Sequence, residues 1–126
     1  MRRSIFVAVV LASVTIACVV VFAWMQTRGV WVTVINRGSD PITDVVVYVT
    51  GSQHSIGDLA KGESKTVRVL PKSESHVELG FLDHLGQPRR INAGGYFENG
   101  YRGTIEVELE NNTIKRNQQN VGPSLF

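Results

Sequence analysis

The sequence predicts an all-β fold, an antiparallel sandwich of about seven short strands, preceded by one N-terminal transmembrane helix. Three observations carry this. Residues 5–25, IFVAVVLASVTIACVVVFAWM, form an apolar run of 21 residues with no charge, proline or glycine. Beyond it, β-branched and aromatic runs recur at spacings of about 8 to 12 residues, divided by Gly, Pro, Asn, Asp and Ser clusters. Nothing after residue 25 repeats with the 3.6-residue period of a soluble amphipathic helix.

The apolar run comes first. At 1.5 Å per residue it spans about 30 Å, the hydrocarbon thickness of a bilayer. Lipid supplies no partner for a lone backbone group, so the run must be helical despite its many β-branched residues. Trp24 stands at its outer end, where amphipathic rings favour the headgroup level. Three readings of this segment compete. A secretory signal would use Arg2 and Arg3 as its basic start and residues 21–23 (Val-Phe-Ala) as a cut site, but the run is long and no polar segment precedes the cut. Residues 14–18, Val-Thr-Ile-Ala-Cys, resemble a bacterial lipobox, with Cys18 as the lipidated residue. Thr15 is a poor match there, and the chain after Cys18 stays apolar. An uncleaved anchor fits the length best. Arg2 and Arg3 then hold the amino terminus in the cytoplasm and place the following domain on the extracytoplasmic side. Arg28 weakens that asymmetry without reversing it.

The anticipated organisation is a cytoplasmic stub at 1–4, the helix at 5–25, a linker at 26–29, the sandwich at 30–110 and a disordered tail at 111–126. So short a linker keeps the domain against the membrane surface. Leaving out Arg2 and Arg3, eleven Lys/Arg balance eleven Asp/Glu. That balance offers no electrostatic footprint for nucleic acid. The one cysteine, Cys18, lies in the apolar run, so the exposed domain has no disulfide.

The strands follow in order. Residues 30–36 (VWVTVIN) are rich in β formers. Residues 37–41 turn the chain with Gly, Asp and Pro. Residues 42–50 lack clean alternation and read as a central strand covered on both faces. Residues 54–59 are short, and 63–70 place Val67 and Val69 on one face. Ser75–Leu82 points Val77, Leu79 and Phe81 inward. Residues 83–86 make a hairpin loop, and 88–92 return as an edge strand marked by Pro88. Residues 104–110 alternate most cleanly, with Ile105, Val107 and Leu109 inward. Residues 111–126 are polar and without period. Seven strands at these spacings form the pattern of an immunoglobulin-like antiparallel β-sandwich.

Val32, Val34, Asn36 and Gly38, followed by Asp44, Val45 and Val47, resemble the opening of CARDB-like bacterial immunoglobulin-like domains. Ile56, Gly57, Leu59, Gly62, Ser64 and Val67 continue the likeness, which covers residues 30–69. It implies the first strands of such a sandwich. It implies no activity, because these domains host many roles.

Candidate chemistry is sparse. His54, His76 and His84 show no local metal-ligand spacing. Ser52 and His54 share one tight turn without an orienting acid or a Gly-x-Ser-x-Gly elbow. Glu106, Glu108 and Glu110 line one strand face, as a solvated sheet surface does. No phosphate loop or cofactor motif is present. Residues 93–103 carry four glycines and three aromatics in eleven positions. Tyr96, Phe97 and Tyr101 on such a loop are the candidate protein-contact residues; the alternative makes the tyrosines core caps. The expectation is a non-enzymatic, cofactor-free module that contacts a membrane or envelope protein or its own copy. A lipoprotein of the same fold and a ligand-binding, metal-binding or enzymatic domain are the alternatives.

Overall fold

The computed structural model describes residues 2–26 and 29–123. Met1 of the expected stub, residues 27 and 28 of the expected linker, and residues 124–126 of the expected tail lie outside them. One helix, α1 (Arg2–Gln26), precedes eight strands: β1 (Gly29–Asn36), β2 (Ile42–Val49), β3 (Ser52–Leu59), β4 (Ser64–Val69), β5 (Ser75–Leu82), β6 (Pro88–Phe97), β7 (Tyr101–Glu110) and β8 (Thr113–Pro123).

The helix is apolar all round, and 23 of its residues, Arg2–Trp24, make it long and apolar enough to cross a membrane. None of that stretch is buried against the rest of the chain. Its two mid-helix hydroxyls are satisfied internally: Ser13 Oγ donates to the Val9 carbonyl at 2.8 Å and Thr15 Oγ1 to the Leu11 carbonyl at 2.9 Å. A hydroxyl bonded this way needs no water.

The strands form two four-stranded sheets, β4-β1-β7-β8 and β3-β2-β5-β6. All neighbours are antiparallel except β1 and β7, which run parallel over the whole of β1. The core lies between the sheets. Alternate residues of β1 (Val30, Val32, Val34), β5 (Val77, Leu79, Phe81) and β7 (Ile105, Val107, Leu109) meet there, as their period-two pattern requires. No residue of α1 from Arg2 to Trp24 belongs to it. The architecture is therefore the all-β sandwich with an N-terminal helix, built with eight strands rather than about seven.

Three expectations are corrected. β2 is central, between β3 and β5, but only one face is buried: Val45, Val47 and Val49 point in, while Val46 and Tyr48 are half-exposed. The irregular pattern reflects a bulge, with Asp44 at φ 50° and a register shift between Thr43 and Val46. Residues 93–97 belong to strand β6, not to a loop. The third correction is the tail: residues 113–123 form β8, paired with β7 from Glu110–Thr113 to Tyr101–Pro123. Asn111 and Asn112, at φ 49° and 67°, make the two-residue turn that joins them, and two positive φ values suit a right-twisted hairpin. The inward positions of β8 explain why no period shows in the sequence. Asn117 faces Val107 and Gln119 faces Ile105 across the ladder, so amides stand where apolar residues would alternate. Asn117 Nδ2 donates to the Ala93 carbonyl of β6, tying the two sheets along that side.

Consecutive strands run up and down, which gives the sandwich two poles. The basal pole holds the start of β1, the turns at 50–51, 70–74 and 98–100, and the end of β8. The apical pole holds the connections at 37–41, 60–63, 83–87 and 111–112.

Candidate functional site

Tyr96, Phe97 and Tyr101 gather at the basal pole, around the turn from β6 to β7. The turn is closed by Tyr101 N–H donating to the Glu98 carbonyl at 3.1 Å, with Gly100 at φ 86°. The three rings part ways there. Phe97 is 0% exposed and is among the largest fully buried side chains of the core. Its assignment as a contact residue is overturned: it ends a strand pointing inward, into the core that Ala93 also enters. Tyr101 is half-buried against the core, and Tyr96 is 48% exposed. The two tyrosine rings meet edge to face at 6.4 Å and 78°. Tyr96 Oη donates to the Glu98 carboxylate, and that bond to an anion pushes the phenol up to about 12.

The apical pole is built around two buried polar side chains that the sequence did not single out as anchors. Asn36 is 2% exposed at the end of β1. Its Nδ2 donates to the carbonyls of Asp40 at 2.9 Å and Leu59 at 3.2 Å, and its Oδ1 accepts from Gly38 N–H at 3.0 Å. The Asn-x-Gly pattern thus fastens the β1–β2 connection to the end of β3. Asp83 is 4% exposed. One carboxylate oxygen accepts from Leu85 and Gln87 N–H, each at 2.9 Å, and the other from Arg89 Nε at 3.0 Å. The Gln87 hydrogen bond, followed by that of Arg89, holds its carboxyl below the usual carboxylate range against the opposing effect of burial. The loop at 83–87 is therefore stiff, and it presents Leu85 at 70% exposure. Beside it lies a cleft of about 260 Å³ lined by Asn36, Asp40, His84, Leu109, Asn111 and Asn112 among others.

The histidines stay apart, one each in β3, β5 and the 83–87 loop. Ser52 Oγ and His54 Nε2 lie 3.3 Å apart on one face of β3. A nucleophile needs a base that is itself oriented; among the described residues no carboxylate is hydrogen-bonded to the His54 ring. His76 lies 3.6 Å from Glu78, whose other oxygen accepts from Arg90 at 2.8 Å. That guanidinium lowers the Glu78 pKa and stacks 4.0 Å over the Tyr48 ring. His84 Nδ1 is 4.0 Å from Asp40. Two of the three carboxylates on β7 are also engaged, Glu108 with Arg37 at 3.3 Å and Glu110 with Lys115 at 3.1 Å. Among the described residues no three His, Cys, Asp or Glu side chains converge as a metal site would. Cys18 lies on the surface of α1, within an unbroken helix. Comparison with protein-family models, with curated proteins and with solved structures finds no match to this chain.

Proposed function

We propose that this chain is a membrane-anchored, non-enzymatic module that contacts another membrane or envelope protein. In this reading α1 stays uncleaved and spans the bilayer, Arg2 and Arg3 stay cytoplasmic, and an immunoglobulin-like sandwich stands on the extracytoplasmic side. The resemblance of residues 30–69 to CARDB-like domains agrees with that fold. One observation carries the proposal: a helix with no buried face adjoins a sandwich whose core is complete without it. A helix apolar on every side, with none of its residues 2–24 buried, has its natural solvent in lipid. The non-enzymatic part draws on the chemistry-bearing side chains, which are taken up in pairwise contacts. Protein contact draws on the apical pole, which faces away from the membrane and offers Leu85 on a stiff loop beside a polar cleft.

The test is photo-crosslinking of the full chain in its own membranes from a probe at the exposed position 84, beside Leu85. The expected result is one discrete protein adduct that Leu85→Asp abolishes while the melting temperature holds. A chain that stays intact in the membrane and forms no protein adduct from the apical pole contradicts the reading.

A further inference from the structure

The sandwich leaves few large apolar side chains wet, and their placement is uneven. Outside α1, four among the described residues are exposed: Trp31 at 40%, Leu70 at 51%, Leu85 at 70% and Tyr96 at 48%. Leu85 is apical. Leu70 follows the basal end of β4, and Tyr96 is one residue from the basal end of β6. Trp31 is two residues in from the same end, opposite Arg68 on one side and Thr104 on the other. The β1 and β7 strands begin in register there, Gly29 beside Arg102.

This pole is also the one that α1 enters. The helix ends at Gln26 and β1 begins at Gly29. Three Cα–Cα steps reach at most about 11 Å, so the pole cannot stand off from the helix end. The Arg102 guanidinium lies 5.6 Å from the centre of the Trp24 ring, which joins the pole to the last turns of α1. Tryptophan, tyrosine and an aliphatic residue beside basic groups match the mixed polarity of the headgroup layer. Lys72, Glu74, Glu98 and Arg102 belong to the turns and strand ends of this pole and Arg68 stands opposite Trp31, so charges of both signs are present. The match is to the interface itself and does not call for anionic lipid.

We propose that the basal pole of the sandwich is seated in the headgroup layer of the bilayer that α1 crosses, with Trp31, Leu70 and Tyr96 as its interfacial anchors. This rests on reading α1 as a spanning helix and adds to it a fixed posture for the domain. The module does not tumble on its tether; it leans on lipid and holds the apical pole outward. Occupation by lipid also explains why a ring with its hydroxyl bonded to Glu98 and a bare leucine stay uncovered at the one end of the sandwich nearest the membrane.

The experiment uses the full chain with Cys18→Ala, reconstituted in phosphatidylcholine vesicles. Single-cysteine variants Leu70→Cys, Tyr96→Cys and Leu85→Cys carry an environment-sensitive fluorophore, and a fraction of the lipid bears a nitroxide on its headgroup. Flotation with the vesicles reports the anchor separately. Quenching several-fold stronger at positions 70 and 96 than at 85, in zwitterionic lipid alone, is the expected result. Chains that float but quench equally at the three positions overturn the docked pole and leave the anchor standing. Chains that do not float overturn the anchor and the docking with it. Fluorophores at 70 and 96 that are shielded without nitroxide quenching, in proportion to protein density, show a second copy on the pole and also overturn the proposal.

Discussion

Phe97 and Tyr96 are neighbours with opposite fates, decided by the pleat of β6. Phe97 fills the core at the basal end, and removing its ring leaves a cavity that the surrounding valines cannot close. Phe97→Ala is expected to cost about 3–5 kcal/mol in urea unfolding. Tyr96→Ala, which removes an exposed ring and one bond to an exposed carboxylate, is expected to fall within about 0.5 kcal/mol of the parent, as surface changes do. Equal losses at both positions would mean that Tyr96 is also part of the core. Asp83 makes a different test, through pH. Its folded pKa lies below the ordinary value of 3.8, so its contribution is present in full above that value and is lost as pH falls through the folded one. Glu78 adds in the same direction from its ordinary 4.5. The urea midpoint is therefore expected to fall as pH drops from about 5 to about 2. Asp83→Asn should be less stable at neutral pH and should flatten that fall. A variant as pH-sensitive as the parent would remove Asp83 from the account.

At the level of elements, β8 decides whether the sandwich closes. It covers the edge of β7 and reaches across to β6 through Asn117. The approach depends on Gly103, at φ 134°, where a Cβ would lie 2.0 Å from the Asn120 carbonyl oxygen. Gly103→Ala is expected to destabilise by at least about 1–3 kcal/mol from backbone strain alone. Ending the chain at Asn112 should abolish the cooperative urea transition. A truncated chain that unfolds like the parent would show β8 to be dispensable. The legibility of each strand follows from the same chemistry. Ser75–Leu82 and the alternation of Ile105, Val107 and Leu109 were plain, because one wet face and one dry face impose a period of two. β8 is hidden because Asn117 and Gln119 stand opposite Val107 and Ile105, between the half-buried Ile114 and Val121, and Asn117 finds its partner across the sandwich rather than in apolar contact. The signal that could have found it is the Asn111-Asn112 pair, a two-residue turn directly after the clearest strand. The contact site was misread for a related reason. Gly94 and Gly95 suggest a loop, whereas β6 runs on to Phe97 through two register shifts against β5, which bring the buried Ala93 and Phe97 to the core. Asn36 reads as the end of a strand and Asp83 as a hairpin-loop residue, and neither reading shows an anchor, since burial of a polar side chain depends on groups far away in sequence.

For the whole molecule, the division between helix and sandwich is the central feature. The core draws on strands alone, so residues 29–126 without α1 are expected to give the far-UV circular dichroism of a β protein and one cooperative melt; a mainly helical spectrum would refute the fold. The helix, in turn, contributes nothing buried to the domain over residues 2–24. Everything proposed about posture and partner follows from that helix remaining attached and lying in lipid. Intact mass spectrometry of the chain extracted from membranes tests this most directly. The account predicts a mass that includes all of α1, with Cys18 unmodified. A mass beginning at Cys18 with added acyl chains, or beginning at Trp24, would contradict it.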